Sequence, residues 1–311
     1  MRKALLLLLT VVLACLAASC GGSTSEPAAA PPTTETGAAE TTTTAATTEE
    51  PDPCAKDQLQ LVNAGQLTIG TDNPAFPPWF ESGTPSGSKW EINDPSTGKG
   101  FESAVAYAVG DQLGFTTDEV SWVVVPFDNS CKPGPKDFDL DINQISYTAK
   151  RDRAVDVSGS YYDVNQSVVT LTSSEFANAT TVADLKDAKL GAPIGTTSYD
   201  YIVENVRPSK DPAVYSTLND AVSGLKNKQV DGIVVDLPTA FYITAVQVPN
   251  GKIVGQFPSV GGQEHFAMVF EDGNTLRDCV NTALASLRES GELDQIQQKW
   301  LADKTNAPVL Q

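Results

Sequence analysis

The chain has 311 residues, 41% of them hydrophobic, and carries a formal net charge of -18. That length supports one large or two medium domains with substantial cores. The acidity argues against nucleic acid as a partner, because neutralising phosphates requires clustered Lys and Arg.

Arg2 and Lys3 precede an apolar run, Ala4 to Leu16, that is short for a mature spanning helix. Small residues Ala17, Ala18 and Ser19 lead to Cys20 and Gly21, so 1–19 resembles a bacterial lipoprotein signal cleaved before Cys20. A lipid on Cys20 would tether the protein without a spanning helix. Cys15 is the weaker candidate, since apolar residues run on past it, and a plain secretory signal is the alternative. From 20 to 53 Thr, Ala, Pro, Glu and Ser dominate. Such a segment has too little to bury to offset the entropy of ordering, and it reads as a disordered stalk. No other stretch approaches transmembrane length.

Once Cys15 leaves with the signal and Cys20 takes lipid, Cys54, Cys131 and Cys279 remain. An exported domain is expected to form a disulfide, and three thiols leave one over. Pairing Cys54 with Cys279 would staple the two ends of the folded chain. The cysteine spacing matches no metal pattern, and the single histidine, His265, has no ligand-type neighbours. Neither a metal nor a cofactor is expected.

The folded region opens with a β-rich run, Leu67 to Thr71, followed by Asp72, Phe76, Pro77, Pro78, Trp79 and Phe80. Prolines stop the strand, leaving an acid and three aromatics on the loop at its C-terminal end, where ligands bind in open α/β sheets. A structural loop with a hydrophobic plug fits the same residues. Gly100 opens a helix with Phe101, Val105, Val109 and Leu113 on one face and Gly114 as its stop. Val120 to Val125 is a second strand, with Phe127 just beyond it. A Pro/Gly-rich connection from Asn129 to Lys136 follows.

Phe138 to Ile145 then reads as a short buried strand that turns through Ser146 and Thr148 into Arg151, placed in the first turn of a helix. Open backbone groups at a strand end beside a planar guanidinium make a cradle for a carboxylate. An ordinary turn with a surface arginine has the same composition. The chain crosses at Asp163 to Gln166, and a βα rhythm restarts with a strand at Ser167 to Thr172. Thr181 and Asp184 form a capping box before a short helix. Leu190 to Ile194 is a strand, and Gly195-Thr196-Thr197-Ser198 enters a helix starting near Tyr199. Free N–H groups there suit an anion. Thr217 caps another helix. Val230 to Val235 is a buried strand ending in Asp236, which alone fits an N-cap equally well. Ile253 to Phe257 and a returning strand, His265 to Phe270, precede two closing helices broken at Gly291.

One crossing out and one back divide this alternation into two α/β lobes, 54–164 with 264–311 and 165–263. The polar strand-end groups then face one another across a cleft: Asp72 and Arg151 on one lobe, Thr196 and Asp236 on the other. A cationic group, a helix N-terminus and nearby acids suit a small zwitterion such as an amino acid.

From Leu67 to Leu301 the ordered motifs resemble those of the extracytoplasmic solute-binding proteins (family 3) of polar amino-acid ABC importers. The motifs are Leu67 to Asp72 with Pro78-Trp79, Gly100-Phe101-Glu102, and Phe138-Asp139-Leu140 leading to Ser146-Tyr147-Thr148 and Arg151. They continue with Val155 to Ser158, Tyr161-Tyr162, Gly195-Thr196-Thr197, Val230 to Asp236 and the final helix. The resemblance implies a two-lobe periplasmic-binding-protein-like fold (type II) with two hinge-crossing strands. The protein would act as a monomer without enzymatic activity, closing around a polar amino acid and delivering it to an importer's membrane subunits. By similarity Arg151 would fork the α-carboxylate, with backbone N–H groups of Thr196 and Thr197 completing its shell. Asp236, Ser146 and the carbonyl of Gln144 would hold the α-ammonium. Asp72 would meet a polar side chain, with Phe76, Trp79 and Phe127 packing the site. Asn143 and Gln144 depart from the small residues usual there and would bring amides to the pocket. A ligand-binding sensory module and a dehydratase-like enzyme on the same fold are the alternatives.

Overall fold

A computed structural model describes residues 52–311. The expected signal at 1–19, the lipid-bearing Cys20 and all but the last two residues of the stalk lie outside the described residues.

The first lobe begins with β1 (Leu67–Thr71), whose five residues are all buried, and α1 (Phe101–Gln112). β2 (Val120–Val124), a single helical turn α2 (Phe127–Ser130), β3 (Leu140–Asp141) and β4 (Asp156–Val157) follow, and β5 (Tyr162–Asp163) leads the chain out. The second lobe contains β6 (Gln166–Leu171), β7 (Leu190–Pro193), α3 (Thr197–Tyr201), β8 (Ala213–Tyr215), α4 (Leu218–Lys226), β9 (Gly232–Asp236), α5 (Leu237–Tyr242) and β10 (Gly251–Gln256). The chain returns through β11 (His265–Phe266) and β12 (Val269–Phe270) and closes with α6 (Leu276–Glu289) and α7 (Glu292–Leu301).

Both lobes are built on one plan. The first sheet runs β2-β1-β3-β12-β4 and the second, read from its far edge, β8-β7-β9-β6-β10. In each, three strands lie parallel, and the strand that follows a crossing, β12 in the first and β6 in the second, inserts antiparallel beside the third. β5 and β11 pair antiparallel to form the hinge ribbon, His265 opposite Asp163. This arrangement turns the C-terminal ends of β1, β3, β7 and β9 towards one interlobe space.

Several elements depart from expectation. The strand expected over Phe138 to Ile145 pairs only at Leu140–Asp141, because Gln144 turns to a φ of 48°. Arg151 is not in a helix. The Asp152 N–H bonds the Thr148 carbonyl and the Arg151 N–H bonds the Thr148 hydroxyl, closing one turn that does not propagate. The strand expected over His265 to Phe270 is two, since its first half joins the hinge ribbon and its second half the sheet. The helix expected near Tyr199 starts at Thr197, where the Thr196 hydroxyl accepts the Tyr199 N–H at 3.2 Å. The tail also leaves the lobe expected to hold it. Leu310 is buried in the second lobe's core, and the Gln256 N–H bonds the Pro308 carbonyl at 2.8 Å.

The core of the first lobe is aromatic. Trp79 is fully buried, with Phe101, Tyr162 and Phe266 at ring centroid distances of 6.1, 5.8 and 5.5 Å. Gly100 has a φ of 97°, and a Cβ there would sit 2.4 Å from the Phe80 Cα, so only glycine lets α1 start against that backbone. Cys54 and Cys279 form the expected disulfide across a sequence separation of 225 residues, leaving Cys131 as the free cysteine of the described residues.

Two outcomes follow from this packing. Replacing Cys54 and Cys279 together by Ser lowers unfolding free energy by about 2–5 kcal/mol in a urea titration, because the bridge restricts a very long loop in the unfolded chain. Asp141 is fully buried and neither carboxylate oxygen has a hydrogen-bond partner in the described residues. Burial pushes its carboxyl up to about 7, opposed by the nearby Ser130 hydroxyl. The protonated form fits the fold, so this residue costs stability as pH rises from about 4 to 7, by up to about 1.4 kcal/mol per pH unit. Asp141→Asn therefore gains on the wild type across that window, with little difference at pH 4 and the largest above 7, read from urea midpoints.

Candidate ligand-binding cleft

Between the lobes lies a cavity of ≈ 400 Å³. It is lined by the loop after β1 (Asp72 to Phe76), by Pro126, Phe127 and Asp128 after β2, and by Asn143, Gln144, Ser146 and Arg151 after β3. The second lobe contributes Thr196 to Ser198, Ser216 to Asn219, and Asp236 with Thr239. Of the ten residues expected at a ligand site, nine lie here. The exception is Trp79, whose indole is buried in the core and donates its N–H to Thr239 Oγ1 at 3.1 Å. An aromatic after a strand reads alike whether it stacks on a ligand or fills a core.

Arg151 ties the cleft together. Its Nη1–H donates to the Ser146 carbonyl at 2.6 Å, and its Nη2–H crosses the lobes to the Gly195 carbonyl at 3.0 Å. The guanidinium lies 5.5 Å from the centre of the Phe127 ring. Phe76 meets Tyr242 of α5 at 6.0 Å, so the lobes touch on both sides of the cavity.

Glu102, in the first turn of α1, organises the β3 end. Its carboxylate accepts the Gln144 N–H at 2.7 Å, the Gln144 side-chain amide and the Tyr161 hydroxyl. This clamp holds Gln144 in the left-handed region, a conformation that costs a non-glycine residue of order 1 kcal/mol. The Gln144 amide, expected to reach into the pocket, is held by Glu102, and Gln144 remains among the cavity-lining residues. Burial pushes Glu102 up to about 7 against these hydrogen bonds.

Asp236 caps α5 by position only, since its side chain makes no capping bond. Instead Oδ1 accepts from Gln166 Nε2 at 2.8 Å. Burial, and then the nearby Glu264 carboxylate, push Asp236 up to about 8. Asp72 is also raised by burial, opposed by the backbone N–H groups of Asn73 and Phe127.

Gln166 and Glu264 are the residues that sequence reasoning missed. Glu264 Oε1 accepts the Ser146 and Thr197 hydroxyls, each at 2.6 Å, and Gln166 Nε2 at 3.1 Å. The available signal was an acid at the returning hinge, immediately before His265. Among the described residues no group of His, Cys, Asp or Glu has a metal-holding arrangement, and no helix is long and apolar enough to cross a membrane.

Comparison with known proteins agrees with this geometry. The model of the bacterial extracellular solute-binding proteins, family 3, matches residues 67–303. A probable histidine-binding protein of Campylobacter jejuni is 28% identical over 210 residues, covering 65% of this chain and 76% of its own. The L-cystine-binding protein of Escherichia coli is 25% identical, with 79% and 86% covered. Among solved structures, an arginine-specific periplasmic binding protein of Salmonella typhimurium superposes with a TM-score of 0.60 at 26% identity, covering 76% of this chain and 99% of its own. An ABC uptake transporter substrate-binding protein of Streptococcus pneumoniae with bound histidine gives a TM-score of 0.60 at 27% identity, with 78% and 94% covered. With two like-ordered sheets, a hinge ribbon and a polar interlobe cavity, the chain belongs to the family 3 bacterial extracellular solute-binding proteins.

Proposed function

We propose that this solute-binding protein captures an α-amino acid with a cationic side chain and presents it to the membrane subunits of an ABC importer. A lipid on Cys20 would hold it at the outer face of the cell membrane. The observation that carries the ligand reading is the charge of the cavity lining. Asp72, Asp128 and Asp236 contribute three carboxylates and Arg151 is the one Lys or Arg among the lining residues. A zwitterion's carboxylate on Arg151 and ammonium on Asp236 use one of each. Asp72 and Asp128 are then left beside Phe76 and Phe127, a combination that suits a cation on an aliphatic or aromatic stem. The relatives described as binding histidine or arginine support the same side-chain class. Their standing as binding proteins also supports a carrier over an enzyme.

A thermal-shift screen against the common amino acids tests this reading, since a ligand that binds only the folded state raises Tm by mass action. The largest shift is expected from arginine, lysine or histidine, and none from glutamate. Arg151→Ala removes the cationic partner of the ligand carboxylate; losing one partner of a hydrogen-bonded charge pair enclosed on binding costs ~2–5 kcal/mol, so binding weakens at least ~30-fold. A screen in which no amino acid stabilises the protein overturns the reading.

The binding has a pH signature. Glu264 and Glu102 raise the Asp236 carboxyl, while Arg151 and the Gln166 hydrogen bond lower it. Burial, and then the Glu264 carboxylate, favour the protonated form of unliganded Asp236, and an incoming ammonium displaces that proton. Affinity thus rises from pH 6 to pH 8 and then levels. Calorimetry in buffers of differing ionisation enthalpy reads the proton released, and Asp236→Asn abolishes it.

A further inference from the structure

Glu264 stands where the chain re-enters the first lobe, just ahead of β11, yet it is not one of the residues lining the cavity. Its carboxylate nevertheless gathers protons from three separate elements. Ser146 follows β3 in the first lobe, Thr197 opens α3 in the second, and Gln166 begins β6 at the outgoing crossing. Both hydroxyls converge on the same oxygen, Oε1, and lie 3.3 Å from one another. Gln166 Nε2 reaches both oxygens of Glu264, at 3.1 and 3.2 Å, and Asp236 Oδ1 at 2.8 Å. Its carbonyl oxygen accepts the Ser198 hydroxyl at 2.6 Å.

The polarity of this network follows from counting protons. A hydroxyl has one hydrogen, a primary amide two, and an ionised carboxylate none. Oε1 of Glu264 accepts from both hydroxyls, and so takes the single hydrogen of Ser146 and of Thr197. Gln166 divides its two between Glu264 and Asp236. What remains for the cavity at Ser146 and Thr197 is oxygen lone pairs, and Asp236 beside them becomes a further acceptor once an ammonium displaces its proton. A wall made only of acceptors complements a group that brings donors alone, as a primary ammonium does with its three N–H bonds. A hydroxyl in that place brings one donor and lone pairs of its own, and a keto oxygen brings none.

We propose that Glu264 is a positioning residue for the ligand's α-ammonium: by drawing the Ser146 and Thr197 hydroxyl protons and a Gln166 amide proton to itself, it leaves the Ser146 and Thr197 oxygens facing the cleft as acceptors only. It thereby selects amino acids over the corresponding hydroxy acids without touching either. This inference rests on the amino-acid reading of the cleft.

The test compares L-arginine and L-histidine with their α-hydroxy counterparts, argininic acid and imidazolelactic acid, by calorimetry on the wild type, Glu264→Gln and Glu264→Asp. The wild type prefers each amino acid over its hydroxy acid by about 100-fold or more. In Glu264→Gln the introduced amide donates where the carboxylate accepted, so a hydroxyl proton turns towards the cleft and the preference falls at least ~10-fold. Glu264→Asp keeps an acceptor-only group and retains the preference even if its absolute affinity drops, which separates polarity from folding or reach. Equal weakening for both ligand types in Glu264→Gln, with the preference unchanged, makes the residue a hinge latch and overturns the proposal alone. A wild type that binds neither amino acid, or binds one regardless of Arg151→Ala, overturns the underlying reading as well.

Discussion

A guanidinium with one hydrogen bond to each lobe is the constraint around which the cleft is arranged. Arg151 bonds the Ser146 carbonyl on its own side and the Gly195 carbonyl on the other, above the Phe127 ring. The fork is planar and permanently charged, and it is held at the C-terminal ends of strands from both sheets. For Arg151 to reach across, β3 must end where it does. That ending depends on Gln144 in a left-handed conformation, which the buried Glu102 carboxylate stabilises from α1. The start of α1 depends in turn on Gly100 lying against the Phe80 backbone. A helix terminus some 40 residues earlier in sequence thus sets the shape of the binding loop.

The second constraint is electrostatic. Glu102, Asp141 and Asp236 are all displaced upward by burial, and Asp236 further by Glu264. Buried carboxylates without a cationic partner favour protonation. An ammonium placed beside Asp236, as proposed for the ligand, would relieve part of that cost. The hydrogen-bonded seam of Ser146, Thr197, Gln166 and Glu264 lies between the ligand cavity and the hinge ribbon. Ser146 and Thr197 of this seam line the cavity, while Glu264 immediately precedes the hinge strand β11.

Much of this was legible in the sequence, for reasons that can be named. Alternating apolar runs with hydroxyls, acids or glycine at their ends locate β1, β7 and β9, and hence Asp72, Thr196, Thr197 and Asp236 at the cleft. Arg151 was placed at the site even though its local structure is an isolated turn rather than a helix. The parts that were not legible involve partners far apart in the chain. Ser146 and Glu264 are 118 residues apart and Gln166 and Glu264 are 98 apart. No local pattern announces such pairs. Trp79 shows the opposite failure, because a loop aromatic next to two prolines carries the same sequence signal as a ligand stacker, while the core of the first lobe claims it. The hold of Glu102 on Gln144 was not legible for a similar reason, as the two sit on different elements.

The central claim is that Arg151 and Asp236 form a cradle for both ends of an amino acid. Isothermal titration of L-arginine and L-histidine against their decarboxylated counterparts, agmatine and histamine, tests it most directly. These amines keep the side chain and an amino group but present nothing to the guanidinium. A cradle built on Arg151 predicts that each binds at least ~30-fold more weakly than its parent. If agmatine or histamine binds as tightly as the amino acid, the carboxylate is not what Arg151 recognises and the assignment of the cleft is wrong.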